Sequence, residues 1–234
     1  MSKWWVVARR EWRVAFQSPL AYVLLGLWML LAGFFFVSLI LHSQSTDLGP
    51  LGQNLIILLL FIAPLLTMRL LAEERKTGSE ELVLTAPLSP AQWVVGKYIG
   101  AVLVWTVFAG VSLLLPLVTS RLGTVDWGVV GASWLGLWLF GAATLAMGVF
   151  ASSLTDNQVV AAMVGFALVL LFYATTWIPT SGWVSTLLAY ISLPGQLNDF
   201  TLGVIGVPHL LYFLSLIGGF LFISVRSVDL RRWT

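Results

Sequence analysis

The chain has 234 residues, of which 59% are hydrophobic and only 9% charged, whereas a soluble domain of this length carries about a quarter charged residues. With no cysteine, disulfides, thiolate metal sites and cysteine nucleophiles are excluded. The net charge of +2 comes from basic residues scattered along the chain, with no stacking platform among them, which argues against nucleic-acid binding.

Residues 3–17 read as an amphipathic helix. Trp4, Trp5, Ala8, Trp12, Ala15 and Phe16 share one face; Lys3, Arg9, Arg10, Arg13 and Gln17 gather opposite, with Val6 interrupting them. Such a helix lies flat in the cytoplasmic membrane interface, anchored by Trp5, Arg9, Arg10, Trp12 and Arg13. Ser18-Pro19 then stops and restarts the chain, Ser as N-cap and Pro at the first position of the next helix.

Six apolar stretches follow, at 20–41, 53–71, 98–118, 128–150, 159–178 and 206–225, each near the ~20 residues that a helix needs to cross a bilayer. The first has no small-x-small cleavage site behind it and is read as a retained span. Pro64 predicts a kink in the second stretch, and Arg69 near its end can snorkel to the surface.

Residues 72–97 form the longest loop on the N-terminal side of the membrane. Thr77-x-x-Glu80 fits a capping box for a short helix over about 78–85, ending before Pro87. Ser89-Pro90-Ala91-Gln92 is a second capped start. Glu73, Glu74, Glu80 and Glu81 lie here beside Arg75 and Lys76, so the segment reads as a stiff charged element between two spans. Small residues recur at four-residue spacing in Gly96/Gly100, Gly128/Ala132/Gly136 and Ala161/Gly165, a pattern that permits close helix approach within the bundle. Residues 179–205 are apolar but interrupted by Pro179, Gly182, Pro194 and Gly195, and read as an external re-entrant hairpin.

With the N-terminus inside and six crossings, Lys3, Arg9, Arg10, Arg13, Arg69, Arg75, Lys76, Lys97, Arg226, Arg231 and Arg232 are all cytoplasmic, and Arg121 alone is outside. That distribution follows the positive-inside rule.

Within the six stretches only Arg69 is charged, and no carboxylate lies at mid-membrane. Ion-coupled transport and an aqueous ion channel are therefore disfavoured. No G-x-x-x-x-G-K-[ST] is present, so ATP hydrolysis is not expected of this chain. Gly131-Ala132-Ser133 and His209 could form a Ser–His protease pair, but Trp134 stands where a glycine would be needed. His42 has no partners at metal-ligand spacing. What is left is a polytopic membrane protein with no power source of its own.

At this level of detail the sequence resembles a family. Arg10-Glu11, with Ser18-Pro19 and Ala21-Tyr22 downstream, resembles the start of ABC-2 type permeases. The stretch from Glu73 to Lys97, EERKTGSEELVLTAPLSPAQWVVGK, is similar to the signature E-E-(R/K)-x-x-G-(T/S)-x-E-x-L-L-x-(S/A)-P-(V/L)-(S/T) between spans 2 and 3 of these permeases; Val83 stands where Leu is usual. Ser152-Ser153-Leu154-Thr155-x-Asn157-Gln158 and the C-terminal Val225-Arg226-Ser227-Val228-Asp229-x-Arg231-Arg232-Trp233 match as well. Together these motifs resemble the branch of gliding-motility and nitrous-oxide-reductase-maturation permeases.

The resemblance implies an all-α polytopic ABC-2 (type V exporter-like) fold, a single domain over 1–234. It has six transmembrane helices, cytoplasmic termini and an N-terminal interfacial connecting helix. It implies a permease subunit of the bacterial inner membrane, coupling ATP hydrolysis by a separate ABC ATPase to export or to force transmission. ATP and magnesium would belong to that partner, with no cofactor and no catalysis in this chain. A second permease copy or homologue completes the assembly, with a periplasmic accessory protein as a further expected partner. The helix over 78–85 becomes the coupling helix. Glu73, Glu74, Arg75, Lys76, Gly78, Ser79, Glu80 and Glu81 become the ATPase contacts. The alternatives are a non-transporting structural or assembly membrane protein and an ion-coupled carrier.

Overall fold

The computed structural model describes residues 3–43, 48–79, 88–178 and 182–231, and every regular element among them is helical. α1 (Lys3–Gln17) is followed after one residue by α2 (Pro19–Ser43). At the joint the Ser18 hydroxyl accepts the Leu20 N–H at 3.3 Å, the local stop and restart that Ser-Pro predicts. α3 (Gly49–Thr67) ends earlier than its apolar pattern, three residues beyond the internal Pro64. The chain then turns into a short helix, α4 (Ala72–Lys76), which the sequence does not predict.

α5 (Pro90–Ser112) starts well before residue 98. Two local facts explain the early start. Ser89 and Gln92 form the reciprocal capping box. Lys97, counted among the cytoplasmic basic residues, is buried and paired inside the bundle (below). α5 breaks at Leu113, and α6 (Leu114–Leu122) continues from it. Pro116 lacks the N–H that would bond the Ser112 carbonyl, which accounts for the break. α7 (Trp127–Leu154) is capped by Asp126, whose carboxylate accepts the N–H groups of Gly128 at 2.8 Å and Val129 at 3.3 Å. α8 (Gln158–Ala174) is capped in the same way by Asn157.

The interrupted segment after α8 is a chain of short helices: a 3-10 turn at Thr175–Trp177, α9 (Trp183–Ile191), a second 3-10 turn at Gly195–Leu197 and α10 (Asn198–Thr201). It is tied to α11 (Val207–Arg231) by polar contacts. His209 places Nδ1 2.5 Å from Gln196 Oε1 and Nε2 2.8 Å from Asp199 Oδ2, and the Tyr212 hydroxyl donates to the Ile191 carbonyl at 2.5 Å.

Among the described residues five helices are long and apolar enough to cross a membrane, beginning at Pro19, Gly49, Pro90, Trp127 and Val207; α8 is apolar but has 17 residues. At 1.5 Å per residue α8 is about 26 Å long, just short of the ~30 Å hydrocarbon core. α7 is the centre of the bundle, with 83% of its apolar window buried, against 22% for α2 and 11% for α11 at the perimeter. Its small residues explain why. A Cβ on Gly136 would overlap Phe200 of α10, one on Gly141 the Trp105 indole of α5, and one on Gly148 the Thr67 side chain of α3. In lipid, where apolar burial gives no preference for helix contact, such close fits are what hold helices together.

Candidate functional site

The charged end of the bundle is built from α1, α4 and α5. α1 lies against α5 at two glycines. A Cβ on Gly96 would stand 2.7 Å from the Trp4 carbonyl oxygen and 2.7 Å from Val7 Cβ; one on Gly100 would stand 2.6 Å from Glu11 Cβ. The Gly96/Gly100 pair therefore serves the docking of α1. The docked face of α1 runs through Val7, Ala8 and Glu11, while Trp4 and Trp5 remain 37% and 38% exposed.

That close approach brings Glu11 onto Lys97. The lysine is 1% exposed, with Nζ 2.9 Å from Glu11 Oε1 and 3.0 Å from Glu74 Oε1. Its ammonium also lies 5.7 Å from the centroid of the Trp93 ring, within cation–π range. Arg10 adds a 3.4 Å contact to the same Glu74 oxygen from a side chain that is 60% exposed. An ammonium removed from water is tolerated only when opposite charge and hydrogen bonds replace its hydration. Here two carboxylates from different elements do so. One buried cation thus fastens α1, α4 and α5 to each other.

α4 is held from the other side by the far end of α7. The Ser152 hydroxyl accepts the N–H of Leu71 at 3.1 Å and of Ala72 at 3.0 Å, and donates to the Met68 carbonyl at 3.2 Å. A serine distant in sequence therefore satisfies donors that a helix start leaves open. Arg75 donates to the Ser153 carbonyl, which also accepts the Ser227 hydroxyl of α11 at 3.2 Å.

Of the residues assigned to the loop contact, Glu74 and Arg75 thus face inward into these networks. Glu73, Lys76 and Gly78 are exposed, and Ser79 is half-buried. Gly78 has φ +70° and leaves α4 through a left-handed turn, its N–H bonding the Arg75 carbonyl at 3.0 Å. Thr77, read as the cap of the next helix, turns its hydroxyl back to the Glu73 carbonyl at 3.0 Å and the Glu74 carbonyl at 3.2 Å, and contacts Ser79 Oγ at 2.9 Å. Glu80, Glu81 and most of the helix expected over 78–85 lie outside the described residues. Of the interfacial set, Trp12 packs on Phe16 at 4.7 Å between ring centroids, and Arg9 and Arg13 are exposed.

Glu11, Lys97 and Ser152 are the residues that sequence reasoning missed as site members. Glu11 is the sole acid of α1 and sits directly after Arg10. Lys97 lies between the two glycines of the spacing motif. Those placements were the available signal.

Ser133 and His209 do not form a catalytic pair. The Ser133 hydroxyl donates to the Phe200 carbonyl at 3.1 Å, and both ring nitrogens of His209 are engaged by Gln196 and Asp199. His42 bonds back to the Ser38 carbonyl of its own helix at 2.7 Å. Among the described residues no group of three or more His, Asp or Glu side chains could hold a metal ion.

Beside the Lys97 network a cavity of about 350 Å³ opens between α1, α2, α3, α4 and α5. Its wall carries charges from Arg10, Glu11, Arg69, Glu73, Glu74 and Lys97 beside apolar side chains such as Leu20, Leu66 and Val104.

A protein-family model described as "ABC-2 family transporter protein" matches residues 48–193, more than half of the chain, from the start of α3 to beyond α9. No curated protein matches the chain.

Proposed function

The chain belongs to the ABC-2 transporter family, and from that membership we propose that it is a permease subunit driven by a separate ABC ATPase. In this reading all six apolar helices cross the bacterial inner membrane, α8 included, with both termini in the cytoplasm. α1 is the connecting helix in the interface. The segment from Glu73 through Arg75, Lys76, Gly78 and Ser79 to Glu80 and Glu81 meets the ATPase. ATP and magnesium stay with that subunit. A second copy of the chain or a homologue pairs with it, and a periplasmic protein can accept cargo or force. The placement in the gliding-motility and nitrous-oxide-reductase-maturation branch rests on the sequence motifs.

The observation that carries the coupling role is the pairing of one buried cation, Lys97, with carboxylates of both α1 and α4. A push on the loop reaches α5 only through a stiff connection, and discrete packed contacts transmit such motion where a slack loop would absorb it. The charged part of the ATPase contact then falls to the exposed Glu73 and Lys76, because Glu74 and Arg75 are engaged internally.

The test is a pull-down of the tagged chain from mild-detergent membranes. The expected result is a stoichiometric ATPase that is lost on Glu73→Arg combined with Lys76→Glu, with membrane insertion intact. An intact chain that brings down no ATPase, while a control ABC complex survives the same detergent, would instead favour a structural or assembly protein.

A further inference from the structure

We propose that the cavity between α1, α2, α3, α4 and α5 is a binding site for an amphiphile whose head combines a phosphate with a primary ammonium. The inference does not depend on the ATPase reading. Its volume of about 350 Å³ falls within the ~300–1,000 Å³ of small-molecule sites.

The argument rests on which charges remain once the Lys97 network is complete. Lys97 is balanced by Glu11 and Glu74 Oε1. The second oxygen of that carboxylate, Glu74 Oε2, is buried and has no hydrogen-bond donor among the described residues. A buried carboxylate oxygen without a donor carries a desolvation cost that an N–H from a ligand would remove. Glu73, on the same wall, is exposed. Arg69, one helical turn before Glu73, also lines the cavity, and among the described residues it pairs with no carboxylate. The site thus offers the guanidinium of Arg69, which suits a phosphate, beside that of Arg10, already paired with Glu74, and carboxylate oxygens, which suit an ammonium with hydrogens to donate.

Beside the polar residues the lining has an apolar part, from Leu20 of α2, Leu66 of α3, Leu70 just beyond it, and Val104 of α5. A soluble phosphoamine has no use for such a surface, whereas an acyl chain does. The cavity also lies where the amphipathic α1 meets the first residues of α2; with α1 in the interface, as proposed above, that is the depth at which headgroup and chain join. These features select an aminophospholipid of the adjoining leaflet over a free headgroup.

The experiment uses the full chain purified in mild detergent with whatever subunits accompany it, stripped of lipid. It is then exposed separately to phosphatidylethanolamine, phosphatidylcholine and phosphatidylglycerol of identical chains. Native mass spectrometry counts the molecules retained. One phosphatidylethanolamine per chain is expected. Retention should be about tenfold weaker for phosphatidylcholine, whose quaternary ammonium has no N–H to give Glu74, and similarly weaker for phosphatidylglycerol, which has no ammonium. Arg69→Gln, at an exposed position, and Leu66→Trp, which fills the apolar part, should each lower phosphatidylethanolamine retention by about the same factor. Equal retention of the three lipids, or retention unchanged by both substitutions, would overturn the proposal. Displacement of the bound lipid by soluble phosphoethanolamine would assign the same headgroup chemistry to a free ligand and overturn the lipid assignment.

Discussion

Lys97 is the residue on which the charged end of the molecule depends. Removing its ammonium leaves Glu11 and Glu74, whose side chains are both only 13% exposed, with the solvent-facing Arg10, 3.4 Å from Glu74, as their remaining counter-charge. Breaking a buried pair in this way costs about 3–5 kcal/mol. Lys97→Met should therefore lower the thermal midpoint of the purified chain sharply. The double variant Lys97→Met with Glu74→Gln should recover part of the loss, because one of the two carboxylates that Lys97 held together loses its charge. A Lys97→Met chain as stable as the parent would mean that the network fastens nothing. Ser152 is a second such residue with a different readout. Ser152→Ala takes one acceptor away from the N–H groups of Leu71 and Ala72, a loss of about 1–2 kcal/mol. Amide hydrogen exchange should accelerate at residues 71 and 72 and stay slow in the middle of α7. Uniform acceleration would point to global loosening instead.

At the scale of elements, the docking of α1 is a steric matter. On Gly100 a Cβ would meet Glu11 Cβ at 2.6 Å and the Ala8 carbonyl at 3.2 Å, whereas on Gly110 of the same helix it would meet nothing within 4 Å. Gly100→Val should lift α1 from α5, and trypsin should then cut rapidly after Arg9, Arg10 and Arg13. Gly110→Val should leave the digestion pattern unchanged, and matching patterns for the two variants would sink the docking role. The sequence carried several parts of this arrangement: the extent of α1, the Ser-Pro joint, the Ser89–Gln92 box and the glycine pair. These are local signals, readable within one or two turns. It did not carry the pairing of Glu11 with Lys97, which are 86 positions apart, because periodicity within a helix says nothing about which charge another helix presents. For the same reason Ser152 read only as part of a motif, since the backbone donors that it satisfies belong to α4, a helix with no pattern of its own.

Across the whole molecule, apolar runs located the long helices because bilayer thickness sets their length. They could not rank them. In a membrane, lipid-facing and core-facing surfaces are both apolar, so the central place of α7 shows only in the glycines that its neighbours press against. The path of α8 bears most on topology. With 17 residues, it sits at the short end of what crosses a bilayer, and whether it crosses decides the side on which everything after it lies. The chain has no native cysteine, so single introduced cysteines report cleanly to a membrane-impermeant thiol reagent. Lys76, Gly123, Asp156, Trp183 and Leu230 are all exposed positions for them. If α8 crosses, cysteines at 123 and 183 label from outside, whereas those at 76, 156 and 230 label only after permeabilisation. If α8 does not cross, 183 becomes protected and 230 becomes labelled, while 76, 123 and 156 are unchanged. Arg226 and Arg231 would then lie outside, against the charge rule that the other loops obey. The six-crossing pattern is therefore the expected outcome, and labelling at 230 in intact cells would overturn it.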